Sequence, residues 1–504
     1  MKLYHITNNT AAAVAIADIP VVDYVELYND LKERMKDGNY HVAHYFATEI
    51  SEGLKFYIIL LNDANGEVLI SSFVPDYYAE GLASLTALHP QFHPFEREIH
   101  ELYGVPFDSH PWLKPLRFSH DRRNKNSSMD TYPFYTIEGD ELHEVNVGPI
   151  HAGIIEPGAF RFICSGEQVL HLEIALGYQH RGVEGEMLRE NNSLRRVVIS
   201  ESVAGDTAVG HATAYAELIE KLGDKRVDED LYLERMIGLE LERMAMHIAD
   251  TGALATDIGF QLYQVACEAL RTVTINTTQA WCGNRFGKSL IRPFGTNHPL
   301  TAAKCELIRK NVADVRRRYA ELRRDMLEDP TLLARFEQCG LVPHVEMQRI
   351  GGVGQAARAS ALCRDIRKSH PSGYYATKLS HEPITKQDGD VMSRLMMRLD
   401  EVWQSADYIL RTLESYQPKG ELSAPDYFAP LHADSLSFSL VEGWRGEICH
   451  VALTDDKGQI AKYKIKDPSL HNWLGLAIAV RSEGISDFPI NNKSFNLSYC
   501  GHDL

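Results

Sequence analysis

The chain has 504 residues, 44% of them hydrophobic and 24% charged, a balance that excludes a disordered or fibrous polypeptide and predicts a globular one of two or three domains. Lys and Arg number 52 against 69 Asp and Glu, and the resulting net charge of −17 would repel a nucleic-acid backbone, so no nucleic-acid partner is expected. Among the eight cysteines the nearest two, Cys267 and Cys282, stand 15 positions apart, which excludes a CxxC zinc ribbon, an iron–sulfur cluster bound within the chain and a secreted disulfide framework.

In chain order, the Ala-rich stretch at residues 11–17 is interrupted by Asp18 and Pro20, so it reads as the start of the fold and not as a signal peptide. It and residues 474–480 are the longest apolar runs, at seven residues each, where a helical membrane span needs about 20. No span is expected. An amphipathic segment at 21–35 precedes the apolar run 56–61, and Asn65-Gly66 then reverses the chain into 68–70 as a hairpin. These make residues 1–118 a small α+β unit of one sheet with flanking helices. Residues 119–145, with Arg122-Arg123-Asn124-Lys125-Asn126-Ser127-Ser128, read as a polar connector.

From residue 146 to 504 a large, mostly helical domain is expected. Residues 160–173 alternate around Ser165-Gly166 as a second hairpin. Three apolar stripes then carry helical spacing: Ile237, Leu241, Met244, Ile248; Ile308, Val312, Val315, Tyr319, Leu322, Met326; and Val391, Leu395, Leu399, Val402, Ala406, Ile409, Leu413. They predict bundle core, and the basic run Arg316, Arg317, Arg318, Arg323 and Arg324 predicts a solvated helix face. A third hairpin is signalled by Asp455-Asp456-Lys457-Gly458 between 448–451 and 460–465. The expected fold class is therefore α+β, a helical bundle with small peripheral sheets behind an N-terminal α/β unit.

Three nucleotide- or metal-like strings fail. Residues 283–289 have three residues between their glycines where a phosphate loop needs four; residues 352–357 follow no buried strand; His100-Glu101 and His143-Glu144 have no second histidine four positions on.

A set of strings in fixed order resembles the fused 30-kDa/49-kDa-type subunits of respiratory complex I and the large subunit of the energy-converting [NiFe] hydrogenases of the formate hydrogenlyase and hydrogenase-4 type. They are Phe95-Glu96-Arg97-Glu98-Ile99-His100-Glu101-Leu102-Tyr103-Gly104-Val105 with His110-Pro111-Trp112-Leu113, Gly148-Pro149-Ile150-His151-Ala152-Gly153, His180-Arg181-Gly182-Val183-Glu184, Arg292-Pro293, Arg358-Ala359-Ser360, Arg364-Asp365, Arg445-Gly446-Glu447 and Asp467-Pro468-Ser469. The resemblance covers nearly the whole chain. It implies a complex I 30-kDa-like domain at 1–118 and a 49-kDa/hydrogenase-like domain at 146–504.

In the hydrogenases two cysteine pairs hold nickel and iron. The matching positions here are Ala204 and Thr207 in the first string, and Ser498 and Gly501 in the second, with Cys500 one position off. Alanine and glycine have no donor atom, and serine or threonine hydroxyls stay protonated near neutral pH, so no metal centre is expected. The chain also closes at Leu504, without the tail that nickel-dependent relatives remove on maturation. The quinone-binding histidine and tyrosine of the 49-kDa pattern fall near Pro157 and Ser202, while His151 survives nearby and keeps quinone as a candidate ligand.

The resemblance implies no cofactor on this chain, a [4Fe–4S] cluster in a small partner subunit, and antiporter-like integral membrane partners that anchor the assembly to the cytoplasmic face of the membrane. His151, His180, Arg181, Arg358 and Arg445 are the candidates to face the cavity or the partner's cluster, since a guanidinium beside a cluster raises its potential. Glu184, Asp206 and His211 are the candidate proton relay, with His502 and Asp503 lining the same cavity. The other reading of Arg181 is a salt bridge to Glu184. The functional expectation is a peripheral subunit of a complex-I-like oxidoreductase that couples electron transfer to ion movement; the alternatives are a non-catalytic scaffold and a true [NiFe] subunit with unusual ligands.

Overall fold

The structure is a computed structural model that describes residues 2–76, 80–152, 155–190, 192–225, 227–419 and 422–504. Gly153 of the resemblance strings lies outside the described residues.

The N-terminal sheet is antiparallel and four-stranded, in the order His5–Thr7, Glu67–Phe73, Gly53–Asn62, Tyr40–Ile50. The predicted hairpin is its centre: Asn62 pairs with Glu67, and Gly66 at φ +75° makes the reversal that a residue with a Cβ resists. The amphipathic segment is the helix Tyr24–Arg34, capped by Asp23, whose carboxylate accepts from Val25 N and Glu26 N. Leu27 and Leu31 are its buried face. A second helix, His93–Tyr103, ends at Gly104 in the left-handed region. The strand Tyr40–Ile50 was not legible, because seven consecutive buried residues erase the alternation of a one-sided strand.

The polar stretch that follows the first unit runs without long elements and ends in the strand Leu142–Val147, which pairs with Ala159–Ser165. That strand and Gln168–Ala175 form the second predicted hairpin, with Gly166 at φ +58°. All three predicted stripes lie in long helices, Glu229–Asp257, Ala302–Leu327 and Val391–Ser415, and their residues share one core with a further helix, Gln261–Cys282. No described helix is long and apolar enough to cross a membrane.

The third hairpin is Glu447–Thr454 with Ile460–Lys466, extended by Ser435–Glu442 and the two-residue strand Val14–Ala15. Every residue of Ser435–Glu442 and Glu447–Thr454 is buried. One face, with Phe438, Leu440, Cys449 and Val451, packs on Phe46, Tyr57 and Ile59 of the N-terminal sheet. The other, with His450 and Ala452, turns toward the helix Ala208–Gly223. This sheet joins the two halves of the molecule.

Burial on both faces is accompanied by buried charge. Arg358, fully enclosed, pairs with Glu401 at 2.6 Å, Glu442 at 2.7 Å and Asp365 at 3.1 Å; Arg367 adds Asp365 at 2.8 Å and Glu240 at 3.2 Å. Burial, reinforced by the Asp365 charge, pushes the Glu442 carboxyl up to about 7, which relieves the excess of acid in the cluster. Removing the cation leaves three buried carboxylates without their shared partner, so Arg358→Ala should cost about 3–5 kcal/mol of unfolding free energy, read by urea titration, and Arg358→Lys should recover only part of it.

Candidate functional site

Two loops that are far apart in the chain meet at Arg181. Its guanidinium donates to the Ser202 and Val203 carbonyls on one side and to the Cys500 carbonyl on the other, the Val203 and Cys500 bonds at 2.8 Å. The backbone amides of Arg181 and Gly182 donate to the Leu504 carbonyl, and His180 Nδ1 to the Asp503 carbonyl at 2.7 Å. The Asp503 carboxylate accepts from Gly177 N and Gln179 N. The segment 177–182 therefore holds the C-terminal helix Tyr499–Asp503 against residues 202–207. The alternative reading of Arg181, a bridge to Glu184, does not form, because Glu184 turns away to Lys464 Nζ at 2.6 Å and Ile465 N at 2.8 Å.

Arg445 closes the other side. It sits at the tip of the two-residue hairpin Trp444-Arg445, whose flanking Gly443 and Gly446 exchange both backbone hydrogen bonds. Gly354, at φ +68°, lets this tip approach: a Cβ there would lie 1.9 Å from the Arg445 carbonyl oxygen. The guanidinium makes two bonds to Asp206 at 2.7 Å each, and its Nε donates to the Asn496 carbonyl at 2.6 Å. Trp444 Nε1 donates to the Asp206 carbonyl at 2.9 Å.

The four positions that match the metal-binding cysteines have other employment. Ala204 is buried, and Thr207 precedes the helix Ala208–Gly223. Ser498 is an N-cap, its Oγ accepting from Gly501 N at 2.9 Å. A Cβ on Gly501 would lie 2.6 Å from the Asp467 carboxylate. Cys500 Sγ lies 3.4 Å from Ser498 Oγ, and burial pushes its thiol up to about 11, so the soft thiolate is not formed near neutral pH. These side chains do not fit a nickel–iron pair.

Beside them runs a line of hydrogen bonds that sequence reasoning found only in part. His211 Nε2 lies 3.1 Å from Asp467 Oδ2, His211 Nδ1 lies 3.0 Å from His450 Nε2, and His450 Nδ1 lies 2.7 Å from Tyr463 Oη. One assignment of protons satisfies every link. His211 Nε2–H donates to the carboxylate, His450 Nε2–H to His211 Nδ1, and Tyr463 O–H to His450 Nδ1. Burial, with the neighbouring His211 and His44, holds His450 well below the usual imidazole range and keeps it neutral. Burial would raise Asp467, but the His211 hydrogen bond and the Arg445 charge outweigh it and keep the carboxylate ionised. His450 and Tyr463 share a face because Tyr463 pairs with Ala452, two residues along from His450.

Tyr463 also lines a cleft of about 450 Å³ together with His180, Glu184, Glu98, Arg117 and Leu504. Lys464 bridges Glu184 to Glu98 at 2.8 Å; burial would raise Glu98, but Lys464 and Arg117 hold it well below the usual carboxylate range. So Glu184 and His180 border the cleft, His211 stands behind it, and Asp206 with Arg445 stands on the far side of Asp467. His151 is outside this group and donates to the Gly158 carbonyl at 2.9 Å. Arg358 is outside it too, held in the ion cluster by three carboxylates that desolvation requires it to face.

Comparison with known proteins matches two stretches of the chain. The family of the respiratory-chain NADH dehydrogenase 30 Kd subunit matches residues 17–127, and that of the 49 Kd subunit matches 257–434. The chain is a fusion of these two families. Its relatives include formate hydrogenlyase subunit 5 of Escherichia coli (strain K12), 27% identical over 93% of this chain and 82% of the relative. Hydrogenase-4 component G of the same organism is 25% identical over 93% and 81%. A chain of the archaeal membrane-bound sulfane sulfur reductase shares the fold, with a TM-score of 0.67 and 19% identity over 73% of this chain and all of that one. The 49-kDa match ends at residue 434, so the turn bearing Arg445, the strands bearing His450 and Tyr463, and Asp467 lie beyond it in this 30-kDa/49-kDa fusion.

Gly501→Ala tests the Asp467 contact by its sign. Alanine normally steadies a helix, but here it should displace Asp467 from His211 and lower stability by about 1–3 kcal/mol in chemical denaturation. The histidine line predicts a pH effect. A buried neutral imidazole contributes stability above the unfolded value near 6.5 that is lost as the pH falls toward its lower folded value. Relative to the parent chain, His450→Gln should therefore gain stability between pH 7 and pH 5, by at most about 1.4 kcal/mol per unit, in parallel urea titrations.

Proposed function

We propose that this chain is a peripheral subunit of a membrane-bound, complex-I-like oxidoreductase in which it carries protons between the Glu184 cleft and the region of Ser498, Gly501 and Asp206. The single observation that carries the reading is the unbroken line Tyr463–His450–His211–Asp467, polarised in one direction and buried. A proton entering from the cleft displaces the Tyr463 proton to His450 Nδ1, the His450 Nε2 proton passes to His211 Nδ1, and the His211 Nε2 proton passes to Asp467. Reorientation of the rings then resets the line. Glu184 serves as the acceptor at the mouth, and the Asp206–Arg445 pair as the polar exit, with the Asp206 side chain about a third exposed.

Electrons reach the complex through a [4Fe–4S] partner subunit docked on the Arg181 side, and integral membrane subunits move the ions. No nickel–iron pair is held by this chain; Gly501, which has no room for a side chain, and the protonated Cys500 support this. A quinone is the candidate acceptor in the assembled complex, with His151 as the imidazole that could meet it. The names of the relatives, subunits of hydrogenases and of NADH-quinone oxidoreductases, support the class of complex.

In the purified intact complex, His211→Gln and Glu184→Gln should each lower turnover coupled to proton uptake by about 10²-fold while leaving subunit composition unchanged. Elemental analysis should find iron without stoichiometric nickel. Unchanged turnover in both variants would make the chain a scaffold, and stoichiometric nickel with hydrogen evolution would return it to the hydrogenases.

A further inference from the structure

A second cleft, of about 330 Å³, opens where the first unit, the connector and the C-terminal part of the chain meet. That volume sits at the small end of the range for small-molecule sites, roughly 300–1,000 Å³, and gives room for one or two fused rings. Its walls are aromatic: His93, Trp112, Tyr132, Tyr135, His171 and Trp473. His93 packs against Trp112 with ring centroids 4.9 Å apart and the rings tilted by 41°.

The polar groups in these walls are incompletely used. His93 is 6% exposed and neither ring nitrogen has a hydrogen-bond partner among the described residues; Trp473 is 5% exposed and its Nε1 is likewise without one. Buried donors left this way are costly, and a molecule bearing acceptor oxygens would satisfy them. Burial, with Arg97 beside it, holds His93 well below the usual imidazole range, so it offers one N–H and one lone pair.

The charge is also one-sided. Arg97, Lys114 and Arg481 line the cleft with a single carboxylate, Glu173. Glu173 is already engaged by Lys114, the Tyr132 hydroxyl at 3.3 Å and Tyr135 N at 2.6 Å. Arg97 gives its Nε to the Lys114 carbonyl and an Nη to the Pro115 carbonyl, and among the described residues neither it nor the exposed Arg481 is paired with a carboxylate. In a chain of net charge −17, this is a local excess of positive charge within aromatic walls.

We propose that this cleft binds a small planar aromatic carboxylate, its ring between the aromatic walls and its carboxylate on Arg97 and Arg481, within reach of Trp473 and His93. Cation, N–H donors and stacking faces are the combination such an anion requires. The site is separate from the proton line. It touches the C-terminal helix only through His502, so a bound anion would bridge the two fused units and bear on the segment that Arg181 clamps.

The test is calorimetric titration of the full chain with 1-naphthoate and, in parallel, with neutral 1-naphthalenemethanol. One equivalent of naphthoate should bind, at least tenfold tighter than the alcohol. Leu474→Trp, which fills the cleft from a partly exposed wall, should abolish binding, and Trp473→Phe should weaken it severalfold. Arg481→Glu changes only an exposed side chain and should weaken naphthoate at least tenfold with the circular dichroism spectrum unchanged, so it decides the matter even if Leu474→Trp fails to fold. Absence of binding, equal affinity for the alcohol, or naphthoate affinity unaltered by Arg481→Glu would each overturn the proposal.

Discussion

Buried charge paired across the units is the constraint on which this fold rests. The two inner strands of the central sheet have no solvent face, so any ionised side chain near them must find its counter-ion inside the protein. Arg358 and Arg367 do so with Asp365, Glu240, Glu401 and Glu442, tying residues 354–369 to two bundle helices and to the strand Ser435–Glu442. A second group crosses between the units: His41 lies 2.7 Å from Glu447 and 3.0 Å from Asp63, and Asp63 lies 2.9 Å from Arg364. A third, Arg117–Glu98–Lys464–Glu184, does the same beside the cleft. Such pairs contribute little net stability compared with well-packed apolar residues, but each is expensive to break singly, so they enforce one arrangement of the two units.

The same logic shapes the candidate site. At the positions that the resemblance matches to metal ligands, and beside them, the side chains make hydrogen bonds and close contacts: a guanidinium on an acid, a serine capping a helix, a glycine admitting a carboxylate. Arg181 and Arg445 stitch the two loops together from opposite sides, Arg181 through main-chain carbonyls and Arg445 through the Asp206 carboxylate and the Asn496 carbonyl. What remains ionisable in the middle is Asp467 with its two histidines, and their polarised alignment follows from a carboxylate at one end and a phenol at the other.

Much of this could be read from residue order. Asn65-Gly66, Ser165-Gly166 and the Asp455–Gly458 turn each marked a hairpin, because a positive φ or an Asx turn leaves a local compositional trace. The three helical stripes were legible because each helix buries only one side. By contrast, residues 41–47 of Tyr40–Ile50 are buried without a break and show no period, whereas Ser435–Glu442 alternates serine with leucine and phenylalanine although all its residues are buried. His180, Arg181, Glu184, Asp206, His211 and Arg445 were singled out through ordered strings, and five of them lie in the two hydrogen-bonded assemblies around the C-terminal helix and Asp467. His450 and Tyr463 were missed, although a histidine on a strand between Cys449 and Val451 is a polar residue at a position with no solvent face.

The amino-acid order by itself determined the absence of paired thiols, the acidic balance, the hairpins and the bundle stripes, since donor atoms, charge and local periodicity are properties of neighbours in the chain. Only the tertiary structure decided that Glu184 answers Lys464 instead of Arg181, that Arg358 is spent on an ion cluster, and that His211 and His450 touch. Those outcomes turn on which ions and rings are brought together from separate stretches of the chain, His211 and His450 from 239 positions apart. In a desolvated interior, the partner that satisfies a charge is chosen by packing, and packing leaves no trace in any single stretch of sequence.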